Sequence, residues 1–217
     1  MGKDEAGIAV LGMAEALGVA AAAASHATCR IADAADMIGR GRISHANAPA
    51  RALGVAPGLS CRDAALRLVA AVASGRDPAP IAEARRALRE PGWRRAILLV
   101  DSASLVRPED AGQILVTASH GGLVGGNPTM AVQADVFAAV FCDAGVGADG
   151  AGISRLPALD ARGIAGLTVS AASARIGEAS SVYADGIISH ANRAAERLGA
   201  RPGEPLQGRL ETWARRG

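Results

Sequence analysis

Residues 30–58 read RIADAADMIGRGRISHANAPARALGVAPG, and residues 175–203 read RIGEASSVYADGIISHANRAAERLGARPG. The two stretches align without a gap at a constant offset of 145, as from Arg30 to Arg175. Extended backwards, the match covers residues 1–58 against 146–203, with 25 identities in 58 positions. The shared positions include Asp4/Asp149, Gly7/Gly152, Gly18/Gly163, Ser25/Ser170, Gly41/Gly186 and the two SHAN tetrapeptides at Ser44 and Ser189. An ungapped match of this length marks a duplicated structural unit.

Working outward, apolar runs alternate with helical patterns. Arg95–Asp101 (RAILLVD), Gln113–Ser119 (QILVTAS), Val136–Cys142 (VFAAVFC), Ile164–Ser170 (IAGLTVS) and Val19–Ser25 read as buried strands. Strands separated by helices predict an α/β fold with a mostly parallel sheet of about five strands and helices on both faces. Residues 4–17 carry a helical period closed by Gly18, and a helix is expected over Ser60–Ser74 with Ser60 as its cap. Ile81–Arg89 reads as an exposed charged helix ended by Pro91-Gly92, and Asn127-Pro128 as the start of another. Ser44 and Ser189 are placed to cap the helices that follow them, and Pro49 should shorten or kink the first of these.

The expected organisation is a truncated first repeat over 1–75, a linker and helix over 76–93, and a complete second repeat over 94–217, together one two-lobed domain. The first copy begins inside the counterpart of the Gly145–Gly152 turn, so it lacks the early strands of the second. Either the reading frame starts further upstream or something else supplies the sheet edge. An uncovered edge favours association, which predicts a homo-oligomer with its interface on the side of residues 1–25.

Composition narrows the function. Half of the 217 residues are hydrophobic and only 2% are aromatic, with a net charge of +2. That leaves no stacking platform for single-stranded nucleic acid and no basic surface for a phosphate backbone. The alanine run at 20–24 is too short to span a bilayer, and the acidic N-terminus does not read as a signal peptide. Three cysteines without CxxC spacing suit a reducing, cytoplasmic setting and leave no metal framework. His45 and His190, each followed by Asn two residues on, fit the first turn of a helix better than a metal site.

Ligands of open parallel sheets sit beyond the carboxyl ends of the strands. Here those ends are polar and glycine-rich. His120 and Asp143 are the candidate acid–base pair. Ser119, Gly121, Gly122, Gly145, Ser170, Ser173, Ser25 and His26 are candidate ligand contacts, with Arg30 and Arg175 as carboxylate clamps. The ends SHGG and CDAG resemble the His-Gly and Asp-Ala-Cys strand ends of caspase-like cysteine peptidases. Gly145 stands at that family's nucleophile position, and Cys142 falls three residues early, where a core thiol is expected. No dinucleotide fingerprint or P-loop is present. The expectation is a cofactor-independent hydrolase or isomerase acting on an anionic or amide-bearing small molecule. The alternative is a non-catalytic ligand-binding or assembly module.

Overall fold

The computed structural model describes residues 2–72, 74–80 and 82–216. Residues Lys3–Ile8 form a 3-10 turn, followed by α1 (Ala9–Ala16), β1 (Ala22–Ala24), α2 (Ala34–Arg40), β2 (Ile43–Ala46), α3 (Ala48–Ala52) and α4 (Cys61–Leu68). The chain then forms β3 (Arg85–Leu88), β4 (Ile97–Val100), β5 (Ile114–His120) and β6 (Ala138–Cys142). It ends with α5 (Arg155–Ala161), β7 (Ala165–Val169), α6 (Ala179–Asp185), β8 (Ile188–Ala191), α7 (Arg193–Arg197) and α8 (Leu206–Arg215). Among the described residues no helix is long and apolar enough to cross a membrane.

The architecture is α/β with a mixed six-stranded sheet in the order β3-β4-β5-β6-β7-β8, and a separate two-stranded sheet of β1 and β2. Strands β4 to β7 run parallel, and β3 and β8 flank them antiparallel. The inner strands are apolar on both sides because both sides are covered. Ile97, Leu99, Ile114 and Val116 face a layer that includes Val182, Leu206, Leu210 and Trp213 from α6 and α8. Leu98, Val100, Leu115 and Phe141 face the crossover segments, with Val106, Val132 and Leu159.

Several segments differ from their sequence reading. Arg85–Leu88 is a strand, paired from Arg85↔Val100 to Leu88↔Ile97, where a helix was expected; Ile81 itself lies outside the described residues. The turn at Pro91-Gly92, with Gly92 at φ 83, folds this segment back onto β4 as a hairpin. Arg85 then fastens the edge by a two-pronged pair to the buried Asp110, at 2.6 and 3.1 Å. Burial alone would raise the Asp110 carboxyl, but Arg85 and the Arg107 N–H outweigh it and hold it low.

The crossovers after β4 and β5 hold only 3-10 turns, including the one begun by Asn127 at Pro128–Met130. Pro108, Pro128 and the glycines of 121–126 interrupt any longer helix. The helix expected over 4–17 is broken, since Asp4 and Glu5 adopt φ 51 and 57. The helix after Ser60 stops at Leu68. Ser44 and Ser189 lie in strands β2 and β8, and the caps are Asn47 and Asn192. Pro49 falls in the first turn of α3, where its missing N–H leaves no bond unmade.

The bounds of α2 and α6, of β2 and β8, and of α3 and α7 differ by the same 145 residues that relate Arg30 to Arg175. Asn47 Oδ1 accepts from the Ala21 and Ala50 N–H groups, and its amide donates to Leu11 and Val19. Asn192 Oδ1 accepts from Gly166 and Ala195, and its amide donates to Leu156 and Ile164.

Candidate functional site

The strand ends lie where the sequence places them, and many of their polar atoms bond within the fold. Asp143 is buried, and its Oδ1 accepts from the N–H groups of Gly145 at 2.8 Å and Ala171 at 2.9 Å. His120 Nδ1 accepts from the Gly122 N–H at 3.2 Å. No hydrogen bond joins His120 to Asp143 among the described residues. The Gly121 N–H donates to the Cys142 carbonyl at 2.7 Å, so neither glycine of SHGG presents a free N–H to a ligand. Their lack of side chains serves close approach instead: a Cβ on Gly121 would collide with the Gly152 carbonyl, and one on Gly122 with the Ile31 side chain and the Ala151 carbonyl.

The serines behave alike. Ser119 Oγ accepts from the Ala103 N–H at 2.9 Å, Ser170 Oγ from Ala172, and Ser25 Oγ from Ala27. Ser173 Oγ donates to the Ser170 carbonyl and accepts from Ile187. These are turn-closing bonds of short polar side chains. Among the described residues no group of three His, Cys, Asp or Glu side chains could hold a metal. Cys142 is a core thiol, pushed up to about 11 chiefly by burial.

Arg155, which the sequence reading passed over, organises this region. Only 5% exposed, it donates to the carbonyls of Gly122 (3.1 Å), Met130 (2.6 Å) and Ala131 (2.5 Å). Its guanidinium lies over the Phe141 ring at 4.8 Å. At the offset of 145 the aligned residue is Val10, so the sequence match gave no signal for it.

Burial, and secondarily the Arg155 charge, pulls the His120 imidazole below its usual value. Nδ1 already accepts a hydrogen bond, so protonation there would break it. The folded state therefore binds its proton later than the unfolded chain as pH falls. Stability should be full above the ordinary histidine value of about 6.5 and decline as pH drops through it towards the depressed folded value. Melting temperatures compared between about pH 7.5 and about pH 5.5 should show this decline, and His120→Asn should flatten it. An unchanged slope in the variant would assign the pH dependence to other groups.

The two arginine candidates clamp the chain to itself. Arg30 pairs with Asp149 at 2.9 Å and Arg175 with Asp4 at 3.1 Å. Arg30 also reaches Asp33, and Arg175 reaches Glu178 at 2.7 Å. Beside these pairs the Lys3 N–H donates to the Ala171 carbonyl, and the Ala148 N–H to the His26 carbonyl, both at 2.7 Å. Lys3 itself pairs with Asp185 at 2.8 Å.

A cavity of about 380 Å³ opens on this seam, bordered by β1 and β2, the first 3-10 turn and the Ala144-Gly145 loop. Lys3, Ser25, His26, Arg30, Ser44 and His45 contribute its polar lining, and the remainder is mostly apolar. Of the sequence candidates, Ser25, His26, Arg30 and Gly145 meet here, whereas His120, Asp143, Ser170 and Ser173 do not line it. His45 Nδ1 is buried without a hydrogen-bond partner among the described residues.

No protein family, curated protein or solved structure matches this chain.

Proposed function

We propose that the chain is a non-catalytic assembly module built from an internal duplication, whose first unit binds a polypeptide. The reading rests on one observation above the others: the exchange of like contacts across the seam. An arginine from each unit bonds the aspartate of the other, Arg30 with Asp149 and Arg175 with Asp4. A backbone N–H from each donates to the other, Lys3 to Ala171 and Ala148 to His26. These two kinds of contact are repeated between counterparts in the opposite direction, as in a twofold interface, whereas the Lys3–Asp185 and Arg40–Asp149 pairs are not. The matching bonds of Asn47 and Asn192 support the same reading.

The two units are not equally complete. β7 has β8 on one side and β6 on the other, whereas β1 has only β2. An open strand edge is a pairing surface. The hydrolase or isomerase reading has no comparable support: His120 and Asp143 are not hydrogen-bonded to each other among the described residues, and His120 Nδ1 and Asp143 Oδ1 bond to backbone N–H groups. Three free, buried thiols suit the cytoplasmic setting that belongs to this proposal.

Hydrogen exchange on the dilute chain tests the reading. The amides of β1 and β2 should exchange at least ~10-fold faster than those of β7 and β8, because only the second pair sits inside a larger sheet. Equal protection in both pairs would overturn it.

A further inference from the structure

We propose that the partner is a segment of parallel strands, one ending in Gly-Gly and its neighbour in Asp-x-Gly, which adds to β1 and fills the cavity beside it. This deepens the assembly reading and rests on it.

In the second unit the equivalent seat is filled from within the chain. β6 runs parallel to β7 with Cys142 opposite Val169, and the Asp143 N–H donates to the Val169 carbonyl at 2.9 Å. The end of β5 then lies across the unit. A side chain on Gly121 would meet the Gly152 carbonyl and Thr168, and one on Gly122 would meet Ile31 and the Ala151 carbonyl. At the offset of 145, the counterparts of Gly152, Thr168, Ala151 and Ile31 are Gly7, Ala23, Ala6 and Ile176. All four of those counterparts line the cavity. It is the space that a Gly-Gly strand end occupies in the other unit, and the same close carbonyls impose the same demand for glycine.

Three features refine the fit. The floor of the seat is Ala22-Ala23-Ala24, where the second unit has Leu167-Thr168-Val169. The β6 residues opposite those positions are Val140, Phe141 and Cys142, so the smaller alanines of β1 leave room for incoming side chains at least as bulky. His190 Nδ1 has Thr168 Oγ1 at 3.5 Å, whereas His45 Nδ1, facing Ala23 instead, has no partner among the described residues. A hydroxyl or amide on the incoming segment would complete it. Finally, Val69 of the first unit is 84% exposed, while its counterpart Ala214 is fully buried beside the sheet. Of the residues matching the buried face of α8, Cys61 and Leu68 are packed, and Ala65 and Val69 are left exposed in the first unit.

The chain supplies its own probe. Gly145 directly precedes Val146, the counterpart of Met1, so a second copy of residues 94–145 fused ahead of Met1 would enter the seat in register. The fusion should be monomeric, and exchange at the β1 amides should slow by at least ~100-fold relative to the original chain. Gly121→Val in the added copy alone should abolish that slowing. Unchanged exchange with a protease-sensitive added segment would overturn the proposal, as would slowing that survives the valine. So would a dimer formed through β1 with the added segment left free, since a second copy of the chain would then be the occupant.

A synthetic peptide of residues 113–146, added in excess to the original chain, gives a readout that does not depend on the fusion folding. Slowed exchange at β1 supports the proposal, and unchanged exchange overturns it. The assembly reading fails separately, if the original chain alone already protects β1 and β2 as well as β7 and β8.

Discussion

Asn192→Ala should lower the unfolding free energy by about 4 kcal/mol, near the upper end of what a single side chain does. Asn192 is 7% exposed and uses both ends of its amide. Its Oδ1 accepts from Gly166 at 3.0 Å in β7 and from Ala195 at 2.9 Å in α7. Its Nδ2 donates to Ile164 at 2.9 Å and Leu156 at 3.3 Å. Alanine would leave two N–H donors and two carbonyls without this partner, each costing about 1–3 kcal/mol if water cannot reach it. The N-cap of α7 would go with them. Urea denaturation followed by far-UV circular dichroism would measure the loss, and a change below about 1 kcal/mol would show that water replaces the amide. Asn47→Ala removes the same set of bonds from the first unit. Its effect should appear as faster local exchange around β1 rather than as an equal shift of the global transition.

Gly152→Ala should be at least as damaging, at about 5 kcal/mol or through outright loss of soluble protein. A Cβ there would collide with the carbonyls of Asp143 and Val146. The Gly152 N–H is held to the Val146 carbonyl at 2.7 Å, so the residue cannot slide away without opening the turn. That turn also places Asp143, whose Oδ1 ties Gly145 to Ala171. The obstruction is backbone on backbone, so no rotamer change relieves it. Soluble yield and the denaturation midpoint are the measurements. A variant within about 1 kcal/mol of the parent would mean the loop after β6 is free to shift.

The sheet was legible wherever burial on both faces wrote itself into the chain. ILLV, ILVT, AAVF and AGLTV cannot be surface segments, and each is an inner strand. Edge elements carried no such mark. RRAL is polar enough to pass for a helix, and only the reversal at Pro91-Gly92 and the hold of Asp110 on Arg85 make it a strand. The SHAN tetrapeptides misled in a narrower way. Serine and asparagine both cap helices, and the strand claims the serine before the helix begins at the asparagine.

The candidate site was the least legible part. Ser, Asp and Gly at a strand end suit a ligand and a turn equally well. What separates the two is whether a backbone N–H already stands within reach, as Ala103 does for Ser119 and Ala171 for Asp143. Those partners come from crossovers whose path the sequence does not state. The pairing of Arg30 and Arg175 with aspartates was hidden for the same reason. Asp4 and Asp149 were visible as aligned residues, but not as the partners of Arg175 and Arg30.

Among the described residues Arg155 pairs with no carboxylate. Its guanidinium is solvated by the carbonyls of Gly122, Met130 and Ala131 rather than by a carboxylate, out of reach of dissolved ions. The seam pairs are the opposite case: the side chains of Arg30, Asp149, Arg175 and Asp4 are 40–57% exposed. Mobile ions screen exposed pairs and leave a buried, dipole-bound cation untouched. Concentrated salt therefore weakens the exposed Arg30–Asp149 and Arg175–Asp4 pairs and leaves the Arg155 contacts in place.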